Sequence, residues 1–143
     1  MAMKNSLFLF MLIASSLPHT AVGISSFSDF HWQSRIVITQ INDSQSIGPI
    51  EEEINQYQSA IADRKLVVIV VNSDKLWIFP STSVNQTSLH QTAVSRLKSA
   101  NTVLIGLDGG TKGVYETLDW QAIFNDIDGM PMRRAELERN RRH

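Results

Sequence analysis

The sequence contains no cysteine in 143 residues. Thiol–disulfide exchange, thiol-based peroxide reduction, structural disulfides and a lipid-modified cysteine anchor are all excluded, because each requires a sulfur that makes and breaks covalent bonds. An excess of charge of one sign is also missing. Thirteen basic and 14 acidic side chains leave a formal charge of −1, so nothing draws the chain as a whole to nucleic acid. Long apolar runs are absent: the run near the N-terminus, Leu7 to Ala14, is short of the ~20 residues a bilayer-spanning helix needs. There is no internal repeat and no low-complexity segment. What remains, 43% hydrophobic and 19% charged residues, is the composition of one globular domain with its own core.

The first 23 residues have the three parts of a secretory signal. Lys4 supplies the positive end, Leu7 to Ala14 the apolar run, and Ser15 to Gly23 a polar stretch. Ala21 and Gly23 are small residues at the spacing a signal peptidase reads, so cleavage is expected after Gly23. Export to the periplasm or cell exterior follows, with a mature chain from Ile24 that carries no transmembrane segment.

Hydrophobic periodicity then sets out the elements. Arg35 to Thr39 is a β-branched first strand. Gly48-Pro49 opens a helix whose acidic start, Glu51 to Glu53, suits the helix dipole and whose buried stripe is Ile50, Ile54, Tyr57 and Ile61. Leu66 to Val71 is an unbroken apolar run, the pattern of a strand covered on both faces. Lys75 to Phe79 reads as a short edge strand stopped by Pro80, and Leu89, Ala93, Val94 and Leu97 form the apolar face of a second helix. Thr102 to Leu107, Asp108-Gly109-Gly110 and Thr111 to Tyr115 read as an antiparallel hairpin. A third helix is expected with Thr117 as its cap, Leu118, Trp120, Ile123, Phe124 and Ile127 as its apolar side, and Gly129 with Pro131 as its end.

A parallel βαβ half followed by a ββα half is the thioredoxin core. The predicted fold is therefore α/β: a three-layer α/β/α sandwich around a mixed sheet of four or five strands, spanning residues 24–132. Residues 133–143 read as a basic tail, with Arg133, Arg134, Arg139, Arg141 and Arg142 against Glu136 and Glu138.

Two stretches carry a resemblance: Val103 to Gly110, ending in Asp108-Gly109-Gly110, and Asp128-Gly129-Met130-Pro131-Met132-Arg133-Arg134. They resemble the signatures of domain-of-unknown-function family 4174, a cysteine-poor thioredoxin/peroxiredoxin-like group of exported bacterial proteins and animal extracellular modules. The resemblance extends over roughly Trp32 to Arg134 and implies the same fold. A lysine usual in that family just before the Asp-Gly-Gly turn is here Leu107, so no role of that lysine carries over.

Thioredoxin-like enzymes place their thiolate after the first strand. Here that position holds Asn42, Asp43, Ser44, Gln45 and Ser46, and the residues before the later strand, Ala100 and Asn101, include no proline. Hydroxyls and amides cannot carry an electron pair as a dithiol does. No catalytic residue is assigned, no cofactor is implied, and the four histidines show no metal-ligand spacing. The leading expectation is a non-catalytic binding module whose contact surface is Asn42 to Gly48, with Arg35 nearby. Its partner would be an envelope or extracellular protein, or an anionic surface met by the tail. The alternative is an enzyme of unrecognised, hydrolase-like chemistry at the same loop, using polar residues around Asp43, Ser44 and Arg35; a triple of Ser44 or Ser46, His31 or His90, and Asp43 or Asp108 can be written, but no nucleophile-elbow pattern accompanies it.

Overall fold

A computed structural model describes residues 23–143. Residues 1–22 of the leader expected over residues 1–23 lie outside the described residues. The chain runs through a 3-10 turn at Phe27–Phe30, then β1 (Arg35–Gln40), α1 (Gly48–Gln56), α2 (Gln58–Asp63), β2 (Leu66–Val71), β3 (Leu76–Phe79), α3 (Gln86–Leu97), β4 (Thr102–Ile105), β5 (Thr111–Tyr115), α4 (Trp120–Asp128) and α5 (Pro131–Arg141). The strands form one mixed sheet in the order β3-β2-β1-β4-β5. β1 and β2 are parallel, with Val37 opposite Val68, while β3, β4 and β5 each pair antiparallel to a neighbour. This is an α/β arrangement consistent with the expected thioredoxin-like core.

The apolar runs explain the layering. Every residue of β2 is buried because both faces of the sheet are covered. On one face Ile36, Ile38, Ile69, Val103 and Ile105 pack under Leu89, Ala93 and Leu97 of α3. On the other Val37, Val68, Val70 and Leu104 pack under Ile54, Ile61, Ile123, Phe124 and Ile127 from α1, α2 and α4. Burying one such aliphatic side chain stabilises the fold by roughly 1.5–3 kcal/mol, so this double core carries the stability that disulfides cannot supply here. Among the described residues, no helix is long and apolar enough to cross a membrane.

Five details depart from the sequence expectations. The first helix is interrupted at Tyr57, where the backbone leaves helical geometry although its N–H still reaches Glu53 and its carbonyl accepts from Ile61. The Tyr57 ring, 40% exposed, is not a buried stripe residue but stacks at 5.6 Å on Trp120. Val94 is exposed rather than core, because α3 turns only Leu89, Ala93 and Leu97 fully inward. Asp119, not Thr117, caps α4, its carboxylate accepting from the N–H of Ala122. Finally, Pro131 starts α5 instead of ending α4, since a proline without an N–H fits the first turn of a new helix.

Candidate functional site

The parallel strands give the molecule two unlike ends. At the carboxyl ends of β1 and β2 lies an open cleft of about 620 Å³, lined by Asn42, Asp43, Asn72, Ser73, His90 and Val94 among others. Strand β1 ends at Gln40, Ile41 just beyond it is buried, and the chain then turns outward, leaving Asn42 to Ser46 exposed. The loop is tied down at two points. Asn42 donates its N–H to the Gln45 side chain at 2.9 Å, and Asp43 accepts from the N–H of Ser73 at 3.0 Å. Hydrogen bonds from the Ser73 backbone, and then from its side chain, hold the Asp43 carboxyl below the usual carboxylate range. His90 Nε2 sits 2.8 Å from the carbonyl of Asn72. A carbonyl only accepts, so Nε2 carries the proton in this contact.

The candidate hydrolase set is divided by this geometry. Asp43 and His90 share the cleft, whereas Ser44 and Ser46 lie outside its lining. His31 and Asp108 lie at the opposite end of the sheet, because β4 runs antiparallel to β1 and its turn returns to the level of Ile36. There the His31 ring closes on Gly109.

Arg35, expected beside the Asn42 loop, is at the other end of the same strand. It heads β1, is 1% exposed, and pairs through both terminal nitrogens with Glu136 at 3.3 Å. One of those nitrogens also donates to the carbonyl of Arg64 at 2.9 Å. Arg64 meets Asp128 in a two-pronged contact at 3.0 and 2.7 Å and lies over the ring of Phe124. Arg133 is 2% exposed and reaches the Asp63 side chain, the Asp63 carbonyl at 2.8 Å, and Asp128 at 3.3 Å. Three guanidiniums and three carboxylates thus close the amino end of the sheet. Burial works against ionisation of Asp128, but the hydrogen bonds from Arg64 and Arg133 outweigh it and hold its carboxyl below the usual range. Arg133 is likewise pulled toward its charged form: desolvation opposes this, and Asp63 and Asp128 overcome it.

The tail must be redrawn accordingly. Residues 133–143 form most of α5, and two of them, Arg133 and Glu136, are buried in this network, leaving Arg134, Arg139, Arg141 and Arg142 exposed.

The Asp108-Gly109-Gly110 turn is the expected hairpin connection. Asp108 accepts from the N–H of Gly110 at 3.0 Å and from Lys112 at 2.9 Å, and Gly109 adopts a φ of 78°, which a side chain would strain. The Lys112 hydrogen bond, followed by that from Gly110, holds the Asp108 carboxyl below its usual range. Among the described residues, no three histidine, aspartate or glutamate side chains converge to hold a metal ion.

Against this background, a family model described as Domain of unknown function (DUF4174) matches residues 26–136. The chain belongs to the DUF4174 family. The match takes in the whole sheet and ends in α5 at Glu136, a member of the buried network. Comparison with curated proteins and with solved structures returned no match. In this DUF4174 chain the second signature acquires a physical meaning. Asp128 and Arg133 belong to the network, Pro131 starts α5, and Met132 is 45% exposed.

The network partners Asp63, Arg64 and Glu136 were missed by sequence reasoning. One signal was present: an arginine directly heading a run of buried β-branched residues needs a buried acid to pair with.

Proposed function

We propose that the protein is an exported, non-catalytic binding module, and that its contact surface is the loop Asn42 to Gly48 with the adjoining cleft. The observation that carries this is the cleft itself. It opens where two parallel strands end, the usual ligand position in open α/β sheets, and in the adjoining loop the Asp43 carboxylate is already held by the Ser73 N–H and the Gln45 side-chain amide by the Asn42 N–H. Groups held before binding lose less entropy on binding. With no cysteine anywhere in the chain, this position cannot run the exchange chemistry associated with the scaffold. Protein partners of the envelope or cell exterior suit a surface of exposed amides, hydroxyls and one carboxylate.

The chain offers a direct test. Because it has no cysteine, Ser44→Cys creates a single attachment point for a photo-crosslinker, and Glu138→Cys at the other end of the sheet serves as control. Crosslinking of one discrete partner in an envelope extract from Ser44→Cys, and not from Glu138→Cys, is the expected result. Equal labelling from both, or turnover of peroxide or insulin disulfides by the purified protein, would sink the proposal. Export is tested separately by N-terminal sequencing of the secreted chain, which should begin at Ile24.

The exposed arginines of α5 support a second contact, with an anionic surface. Deleting Arg139 to His143 spares Glu136 and its pairing with Arg35. The deletion should weaken liposome binding in a salt-dependent way; no change would end this reading.

A further inference from the structure

Another cavity, about 540 Å³, lies where β2 begins and β3 ends, at the opposite end of the sheet from the Asn42 loop. Pockets that hold small molecules run from roughly 300 to 1,000 Å³, and their walls are mostly apolar with a few polar groups. One wall here spans the break at Tyr57, with Ile54 and Asn55 from α1 and Gln58, Ile61 and Ala62 from α2. The other is the strand pair, with Leu66 at the start of β2 and Phe79-Pro80 at the end of β3. Ile54, Ile61, Leu66 and Phe79 all belong to the same core face, so the body of the cavity is aliphatic and aromatic.

Among the described residues that line it, Lys65 is the one charged group, and no carboxylate is present. Lys65 stands just beyond the end of α2 with a φ of 50°. That left-handed position after a helix favours glycine, because a side chain is crowded there. A lysine is thus kept against a steric cost, yet among the described residues it pairs with no carboxylate, and it is exposed. The negative end of the short α2 does not need it. Arg64 already donates to the Ala60 carbonyl there. Exposed amides of Asn55 and Gln58 stand in the same lining, and each can donate an N–H.

We propose that this cavity binds an aliphatic carboxylate of medium chain length. The Lys65 ammonium and the amides of Asn55 and Gln58 would meet the carboxylate head, and the chain would lie against Ile54, Ile61, Leu66 and Phe79. Apolar walls with a single cation select a ligand that has an apolar body and a single negative charge. The site is separate from the Asn42 cleft and does not depend on what that cleft binds.

The test is an NMR titration of the ¹⁵N-labelled protein with octanoate, the neutral octan-1-ol and the cationic octylammonium. Saturable shifts of the backbone amides of Ile61, Ala62 and Lys65 and of the side-chain amides of Asn55 and Gln58 are expected with octanoate, weaker ones with octan-1-ol and none with octylammonium. Lys65→Gln should weaken octanoate about threefold and leave octan-1-ol unchanged. Lys65→Gly should weaken octanoate similarly while raising the urea midpoint, since it relieves the crowded backbone. Ala62→Phe, at an exposed helix position, places a ring in the space and should abolish saturable binding. Shifts that gather at Asn42 to Ser46, or full binding by Ala62→Phe, overturn the location. Octan-1-ol bound as tightly as octanoate, or octanoate affinity unchanged in Lys65→Gln, overturns the carboxylate. A Lys65→Gly protein no more stable than the parent removes the cost that singles out this lysine.

Discussion

The two ends of the sheet are built from the same strands and solve opposite problems. At the amino end, where β1 and β2 begin, six charged side chains interlock, and Arg35 and Arg133 are almost wholly removed from solvent. At the carboxyl end the polar groups of Asn42 to Ser46 stand exposed beside an open cleft. Removing one partner from the first arrangement strands a buried charge, whereas removing a group from the second only returns a site to water. The molecule therefore separates the end whose charges are locked into the fold from the end whose polar groups face solvent.

That contrast can be broken most directly at Glu136. Replacing it with alanine leaves Arg35 buried without its acid and should cost about 3–5 kcal/mol, a large share of a domain's usual 5–15 kcal/mol. Urea unfolding measures the loss. A change below about 1 kcal/mol would mean that the amino end is not the clamp described here. The apolar double replacement Arg35→Met with Glu136→Leu should recover much of the stability, because it removes both charges together.

Acid should open the same end. The folded pKa of Asp128 lies below its unfolded value of about 3.9, so its contribution is present above that value and disappears as pH falls through the lower folded one. The urea midpoint should drop as pH falls below about 4, and Asp128→Asn should flatten that drop while lowering the midpoint at neutral pH. Parallel curves for the two proteins would assign the acid sensitivity elsewhere.

A smaller effect is expected near the carboxyl end. The hydroxyls of Thr39 and Thr102, neighbours across β1 and β4, are buried and 2.8 Å apart. Thr39→Val leaves Thr102 without that partner and should cost roughly 1 kcal/mol, while changing both to valine should cost less than the single replacement. A double variant worse than the single would show that the hydroxyls contribute more than their mutual bond.

The smallest effect on stability belongs to the loop. Asp43→Ala and Ser44→Ala remove exposed groups, so unfolding midpoints should match the parent chain. If the proposed function is right, recovery of the partner by pull-down should nonetheless fall, and a thermal shift without such a fall would turn the loop from a contact surface into a structural one.

How much of this was legible in the sequence depends on the range of the interaction. The run Leu66 to Val71 identified a doubly covered strand because backbone geometry and apolar burial leave it no other place. Proline in the first helical turn predicted the start of α1, but the same signal at Pro131 was read as the end of the preceding helix and so the start of α5 was missed. Expectations failed where a neighbour in space decided the outcome. Tyr57 kept the helical spacing but went to Trp120, and Asp119 took the cap expected of Thr117. Arg35, expected beside the Asn42 loop, lies instead at the far end of the same strand, since six extended residues separate the two ends of β1.

The sequence by itself determined the absence of thiol chemistry, the α/β alternation and the hairpin at Asp108-Gly109-Gly110, because composition, periodicity and turn chemistry act over a few residues at a time. Only the tertiary structure decided that Arg35 meets Glu136 across 101 positions and that a tail rich in arginine gives two side chains to the interior. A charge is buried or solvated according to what the rest of the chain brings beside it, and no local pattern contains that information.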